Sequence, residues 1–144
     1  MLPPPIIYSI FFIIGIGLGY LWPISIMTHW GQIIGISLIV TSILIMPPVL
    51  IRFKRAGTTF DVRKSATSLI TDGPYKYSRN PTYISLTLLY LGLGIFSNNM
   101  WVLMLVLPIL LIIHFWIIQS EEHYLSEKFG EEYQLYKSKV RRWL

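Results

Sequence analysis

The stretch "NPTYISLTLLYLGLGIFSNNMWVLMLVLPILLIIHFWIIQS", residues 80–120, contains no Asp, Glu, Lys or Arg. Its two apolar runs, 81–96 and 100–118, are separated only by the polar cluster "SNNM". A helix that crosses a bilayer needs roughly 20 consecutive apolar residues, so the stretch reads as two spans joined by a tight turn. A second uncharged stretch covers residues 1–51 and holds two more runs, 6–22 and 33–53, with Pro23 and "THWGQ" between them. The expected architecture is all-α: an integral membrane bundle of four transmembrane helices followed by a C-terminal amphipathic interfacial helix. The third span is short and needs help from its flanks. The 144 residues form one membrane domain, in which residues 1–56 supply two N-terminal spans and residues 57–144 carry a polar loop, two spans and the final helix.

Composition agrees. Charged residues are 13% of the chain, where a soluble domain carries about a quarter, and mean hydropathy is +0.57. All 12 Lys and Arg and all 7 Asp and Glu lie in two windows, 52–79 and 121–142. The net charge of +5 therefore reports which face meets anionic lipid and cytoplasm, not a nucleic-acid partner. Both basic windows are expected on the cytoplasmic side, which puts both termini there. Cysteine is absent, which excludes disulfides and thiolate metal sites. The first apolar run has neither a basic leader nor a small-residue cleavage site, so no cleaved signal peptide is expected.

Several features read as architecture. Gly15 and Gly19, like Gly31 and Gly35, have the small-xxx-small spacing that lets membrane helices approach closely. The "GIGLG" fragment lacks the preceding strand of a dinucleotide loop. Pro47-Pro48 and Pro108 remove backbone donors within the second and fourth spans and are expected to kink them. In the tail, Leu125, Phe129, Tyr133, Tyr136, Val140 and Trp143 recur every three or four residues, an amphipathic helix on the membrane or capping the bundle. His114, the one titratable group of the fourth span, is either a hydrogen-bonded structural residue or the lower wall of a site whose mouth is Glu121, two turns further on. No metal site is expected, because the other histidines lie at different depths.

The polar stretch "GPYKYSRNPTY", residues 73–83, precedes the third span. Asn80 suits an N-cap and Pro81 the first helical position. Tyr and Arg suit the membrane interface. A helix start also presents free N–H groups and partial positive charge, which attract carboxylates and phosphates. Tyr75, Tyr77 and Tyr83 offer ring faces for a flat ligand. Glu121 and Glu122 follow the fourth span; next to lipid they are either a solvated helix end or partners for a cationic ligand.

The order "TSLITDGPYKYSRNPTY", one apolar hairpin, then "EEHYLSEKFGEEYQLYKSKV" resembles the isoprenylcysteine carboxyl methyltransferases and their phospholipid-methyltransferase relatives, over residues 57–144. The resemblance implies an integral membrane enzyme that uses S-adenosylmethionine and acts on a lipophilic or prenylated acceptor. Isoprenylcysteine carboxyl O-methylation is the favoured reaction, with a phospholipid or another small lipophile as the alternative. It assigns the cofactor to Thr67, Ser68, Leu69, Ile70, Tyr75, Asn80, Pro81, Thr82, Tyr83 and Glu121. Eukaryotic members have His at the place of Asn80, and an arginine that orients the substrate carboxylate at the place of Ile117. Arg79 is the local candidate for that role, and His114 joins it in the candidate acceptor site. No residue is assigned to the chemical step. Membrane sterol-type reductases using NADPH share part of the pattern, and a non-enzymatic membrane scaffold would share the fold. Oligomeric state is not legible.

Overall fold

A computed structural model describes residues 2–26, 30–57 and 68–144. Among the described residues the chain is helical, without strands. Helix α1 spans Pro4–Leu21, α2 Gly31–Arg55 and α3 Pro81–Phe96. The last apolar run is a rod of pieces: α4 (Met100–Met104), α5 (Val106–Ile112), a π-helical turn (Ile113–Ile118) and α6 (Gln119–Lys139). Among these residues three helical stretches, Pro4–Leu21, Gly31–Arg55 and Met100–Lys139, are long and apolar enough to cross a membrane. The 16 residues of α3 fall short of that length; at 1.5 Å per residue they extend about 24 Å, against a hydrocarbon core of about 30 Å. Side chains such as Ile13 and Leu44, each 69% exposed, face outward, as lipid contact requires.

Hydrocarbon gives helices no hydrophobic reason to associate, so close packing and hydrogen bonds must hold them. Between α2 and α3, Gly35 and Gly92 bring the two backbones together: a Cβ on Gly92 would lie 2.8 Å from the Gly35 carbonyl oxygen. One level along, the Ser42 hydroxyl donates to the Ser85 carbonyl (2.8 Å), and the Ser85 hydroxyl donates to the Ser42 carbonyl (3.0 Å). On the other side α1 packs on α4 where a Cβ on Gly15 would lie 2.8 Å from Val102 Cγ2. The glycine spacing read from sequence is thus used inside the chain. At the uncharged end, Asn99 caps α4 by accepting from the Trp101 and Val102 amides, and its side-chain amide donates to the Gly15 carbonyl at 3.2 Å.

The prolines act unequally. Helix α2 continues through Pro47 and Pro48. Pro108 lacks the N–H that would bond the Met104 carbonyl four residues earlier, and the last rod is interrupted at that level, between α4 and α5. The tail also departs from a simple amphipathic helix. Gly130 (φ 49°, ψ −122°) breaks its path with a conformation that suits glycine, and Val140 is extended. Beyond Lys139 the helix ends; Val140 still packs with the stripe against Tyr133 and Tyr136, whereas Trp143 packs against the main core. Tyr133 and Tyr136 pack with Val49, Phe53 and Tyr75 in a core at the polar end of the bundle. The stripe therefore covers the chain's own helix ends.

Candidate functional site

The polar loop reaches the helix ends through Gly73-Pro74. Gly73 has φ +61°, and a Cβ there would sit 2.6 Å from Arg52 Nε, so only glycine lets the turn dock on α2. The Arg52–Asp72 ion pair (3.2 Å) fixes the same turn. A 3₁₀ turn, Gly73–Lys76, then buries Tyr75. Its ring meets Phe53 edge-on (centroids 6.2 Å apart), and its carbonyl accepts from the Tyr136 hydroxyl at 2.7 Å. Burial pushes the Tyr75 and Tyr136 phenols well above their ordinary range. Tyr77 points away and is 77% exposed, so it adds no ring face.

Asn80 precedes α3 and Pro81 begins it, as the sequence indicates. The cap is made differently: the Asn80 side chain makes no capping bond to its helix. Its amide instead donates to the Arg142 carbonyl at 2.9 Å. Arg79 N–H donates to the Arg141 carbonyl (3.0 Å), and the Ser78 hydroxyl to the Arg142 carbonyl (3.3 Å). The last residues of the chain are thus strapped across the start of α3.

Around these elements lies a hollow with about 850 Å³ of empty space, its open mouth included. Its wall contains Ser68, Leu69, Ile70, Tyr75 and Arg79 from the loop, Asn80, Thr82 and Tyr83 from the start of α3, and Glu121. The tyrosine and the glutamate meet directly: the Tyr83 hydroxyl donates to Glu121 Oε1 at 2.8 Å, with both residues buried. The wall also holds Arg79 Nε, a buried polar atom without a hydrogen-bond partner among the described residues, and the Thr82 hydroxyl, which lies against the Tyr75 side chain. Pro81 shapes the helix start but is not in the wall, and Thr67 lies outside the described residues.

Glu122 also lines the hollow, with Phe53, Tyr133 and Tyr136. These escape a residue-by-residue reading. Tyr133 and Tyr136 look like positions of an amphipathic stripe, and Phe53 looks like the end of a span. The adjacency of Glu121 and Glu122 is the one visible signal. Glu122 is the charge hub: Arg142 binds it side-on (Nε–Oε1 2.9 Å, Nη2–Oε2 2.8 Å) and Arg79 Nη1 lies 3.1 Å away. This hydrogen bonding raises the Arg142 pKa further. Arg79 Nη1 also donates to the Tyr133 hydroxyl at 3.3 Å.

His114 does not share the wall with Glu121. The π turn inserts extra backbone between them, so seven residues no longer equal two α turns, and His114 faces a second, apolar groove. There its Nε2 lies 3.1 Å from Arg142 Nη1 and its ring stacks on Trp143. Ile117 is buried in the main core. Among the described residues there is no group of three or more His, Asp or Glu that could hold a metal ion.

Fold and site together define a helical integral membrane protein with an acidic and aromatic hollow at the polar mouth of its last hairpin. The family model for phospholipid methyltransferases matches residues 30–132, and the chain belongs to that family of membrane methyltransferases. An uncharacterized protein of Haemophilus influenzae is 44% identical over 62 residues, covering 43% of this chain and 98% of its own length. No solved structure matches.

Proposed function

We propose that the protein transfers a methyl group from S-adenosylmethionine to a lipophilic acceptor, with the cofactor in the hollow between the start of α3 and the start of α6. The observation that carries this reading is the 2.8 Å contact between Tyr83 and buried Glu121 in the wall of that hollow. The donor set suits the cofactor. A buried carboxylate fits its ammonium group, unpartnered Arg79 Nε fits its carboxylate, and the rings of Tyr75, Phe53 and Tyr136 fit its adenine. When bound, the cofactor supplies an electrophilic methyl group on a sulfonium. The chain's residues then hold, orient and exclude water; placement near 3 Å and in line does most of the work in such a displacement. Among the described lining residues Arg79 is the one cation, where a pyrophosphate calls for several.

The acceptor meets the cofactor from the lipid side, while the cofactor comes from the face where the basic loop and tail lie, which we place on the cytoplasmic side. Among acceptors, a carboxylate such as that of a prenylated cysteine needs no base. A phospholipid amine must first lose a proton. Calorimetry with S-adenosylhomocysteine on protein in detergent tests the reading. Micromolar binding is expected, weakened at least tenfold in both Glu121→Gln and Tyr83→Phe. Absence of binding up to millimolar ligand, or unchanged affinity in both variants, would overturn it.

A further inference from the structure

Helix α1 precedes the residues matched by the family model, yet Pro4 and Pro5 at its start line the hollow. Neither proline has an N–H, and the Pro3 carbonyl accepts from the Ile6 and Ile7 amides at 3.0 and 3.3 Å. The two prolines therefore give the hollow rigid carbon surface and no backbone donor. Ile7 and Tyr8 follow, both buried, and pack in one cluster with Tyr83, Ile117 and Ile118. Tyr83 thus meets α1 through that cluster and Glu121 through its hydroxyl.

Two hydroxyls fasten this arrangement. The Tyr8 hydroxyl lies 2.7 Å from Thr87 Oγ1, and Thr87 Oγ1 donates to the Tyr83 carbonyl, also at 2.7 Å. A threonine hydroxyl has a single hydrogen. It is spent on Tyr83, so Tyr8 is the donor to Thr87. The sequence of contacts Tyr8, Thr87, Tyr83 carries the position of α1 to the first turn of α3. Elsewhere the two helices meet through rings: Tyr90 takes Tyr8 and Phe12 edge-on, with centroids 5.9 and 6.1 Å away. Edge-on rings tolerate a range of offsets, and the Tyr90 hydroxyl is buried without a partner among the described residues. The directional bond from Tyr8 is therefore what sets the register of α1 on α3.

We propose that Tyr8 is a positioning residue of the cofactor hollow: acting through Thr87, it holds α1 on α3 so that Pro4 and Pro5 close one wall and Tyr83 stays on Glu121. This deepens the methyltransferase reading and rests on it. Without the Tyr8 hydroxyl, Thr87 can still bond the Tyr83 carbonyl, but α1 loses its anchor on α3. The proline wall then retreats from the ligand, and the Tyr83 ring gains room to leave Glu121. In hydrocarbon no water replaces a lost donor, so the register is not recovered by solvent. The helix outside the family match thus takes part in the site rather than only in the span.

The test is calorimetry of full-length protein in detergent with S-adenosylhomocysteine. Tyr8→Phe should weaken binding at least fivefold while the gel-filtration profile and helical circular dichroism stay those of wild type. Ser9→Ala, an exposed neighbour on the same helix, should stay within twofold. In a Tyr83→Phe background the Tyr8→Phe change should add less than twofold, because its effect passes through Tyr83; a merely structural role would add in full. Thr87→Ser keeps both hydroxyl bonds and should bind within twofold of wild type, whereas Thr87→Val should lose at least as much as Tyr8→Phe. If Tyr8→Phe does not fold, the contrast between Thr87→Ser and Thr87→Val decides. Unchanged affinity in Tyr8→Phe, a full further loss on top of Tyr83→Phe, or equal losses in the two Thr87 variants overturns the proposal. Weaker binding in Tyr83→Phe with none in Tyr8→Phe would sink this proposal alone; no binding by the wild type would take the methyltransferase reading down with it.

Discussion

Replacing Glu122 with Gln removes the hub of the strap that holds the tail over the site. The side chain of Glu122 is 10% exposed, that of Arg79 9% and that of Arg142 28%. Three contacts reach its oxygens at 2.8–3.1 Å. Summing them at about 1.5–3 kcal/mol each for charged hydrogen bonds would overshoot, because the desolvation of every ion has to be subtracted. What decides the outcome is the charge left behind. Arg142 can turn toward water and regain most of its hydration. Arg79 cannot, since its side chain is packed against Tyr133 with Nε already unpartnered. Removing one partner of a buried pair costs about 3–5 kcal/mol; with one of the two cations able to escape, we expect about 3 kcal/mol. Lys137, 43% exposed and 4.0 Å away, changes this little. The assay is unfolding in mixed micelles titrated with sodium dodecyl sulfate, followed by circular dichroism. A cycle with Arg79→Met isolates the coupling, expected at about 2 kcal/mol within the usual range for contacting residues. A loss under 1 kcal/mol for Glu122→Gln, or additive single changes, would refute the argument that a stranded Arg79 charge sets the cost.

Three further outcomes follow from separate parts of the molecule. Gly92→Val should prevent α2 and α3 from docking, because its side chain would meet the Gly35 carbonyl and Ile39 at 2.8 Å; loss of folded protein on gel filtration is expected, and a native melting profile would contradict it. Asn99→Ala removes the cap of α4 and the bond to the Gly15 carbonyl, so a loss of about 1–2 kcal/mol is expected in the same unfolding assay. Tyr75, Tyr133 and Tyr136 have pKa values raised above 10.0, chiefly by burial, so the folded state holds these protons longer than the unfolded one. Their stabilisation is complete below about pH 10 and declines as pH rises above it, by up to about 1.4 kcal/mol per unit for each phenol; Tyr75→Phe should make the decline shallower, and an unaltered alkaline slope would show that Tyr75 is not the group titrating.

How much of this was legible in the sequence depends on where the information sits along the chain. The helical membrane class follows from the two uncharged stretches alone, since only length and polarity enter. The Tyr83–Glu121 contact was within reach because both residues flank one hairpin, and a hairpin returns its ends to the same level. The face shared by His114 and Glu121 failed on a phase argument, although the hydrogen-bonded role of His114 stands: counting seven residues as two α turns assumes unbroken i→i−4 bonding, and the π turn at Ile113–Ile118 changes the face. Nothing in "IHFWII" marks that insertion, because it contains neither proline nor glycine. The tail helix was legible, but not whether it lies on the membrane or caps the bundle. Its stripe of Leu125, Phe129, Tyr133 and Tyr136 has a helical period whether it meets lipid or protein, and period carries no information about the partner. Val140 keeps to the cluster of Tyr133 and Tyr136 although its backbone is extended, while Trp143 leaves it, and the turn beyond Lys139 brings Arg142 between Glu122 and His114. That return is held by backbone carbonyls of Arg141 and Arg142 accepting from Arg79, Ser78 and Asn80. Carbonyls are the same at every position, so such a strap leaves no mark in residue types.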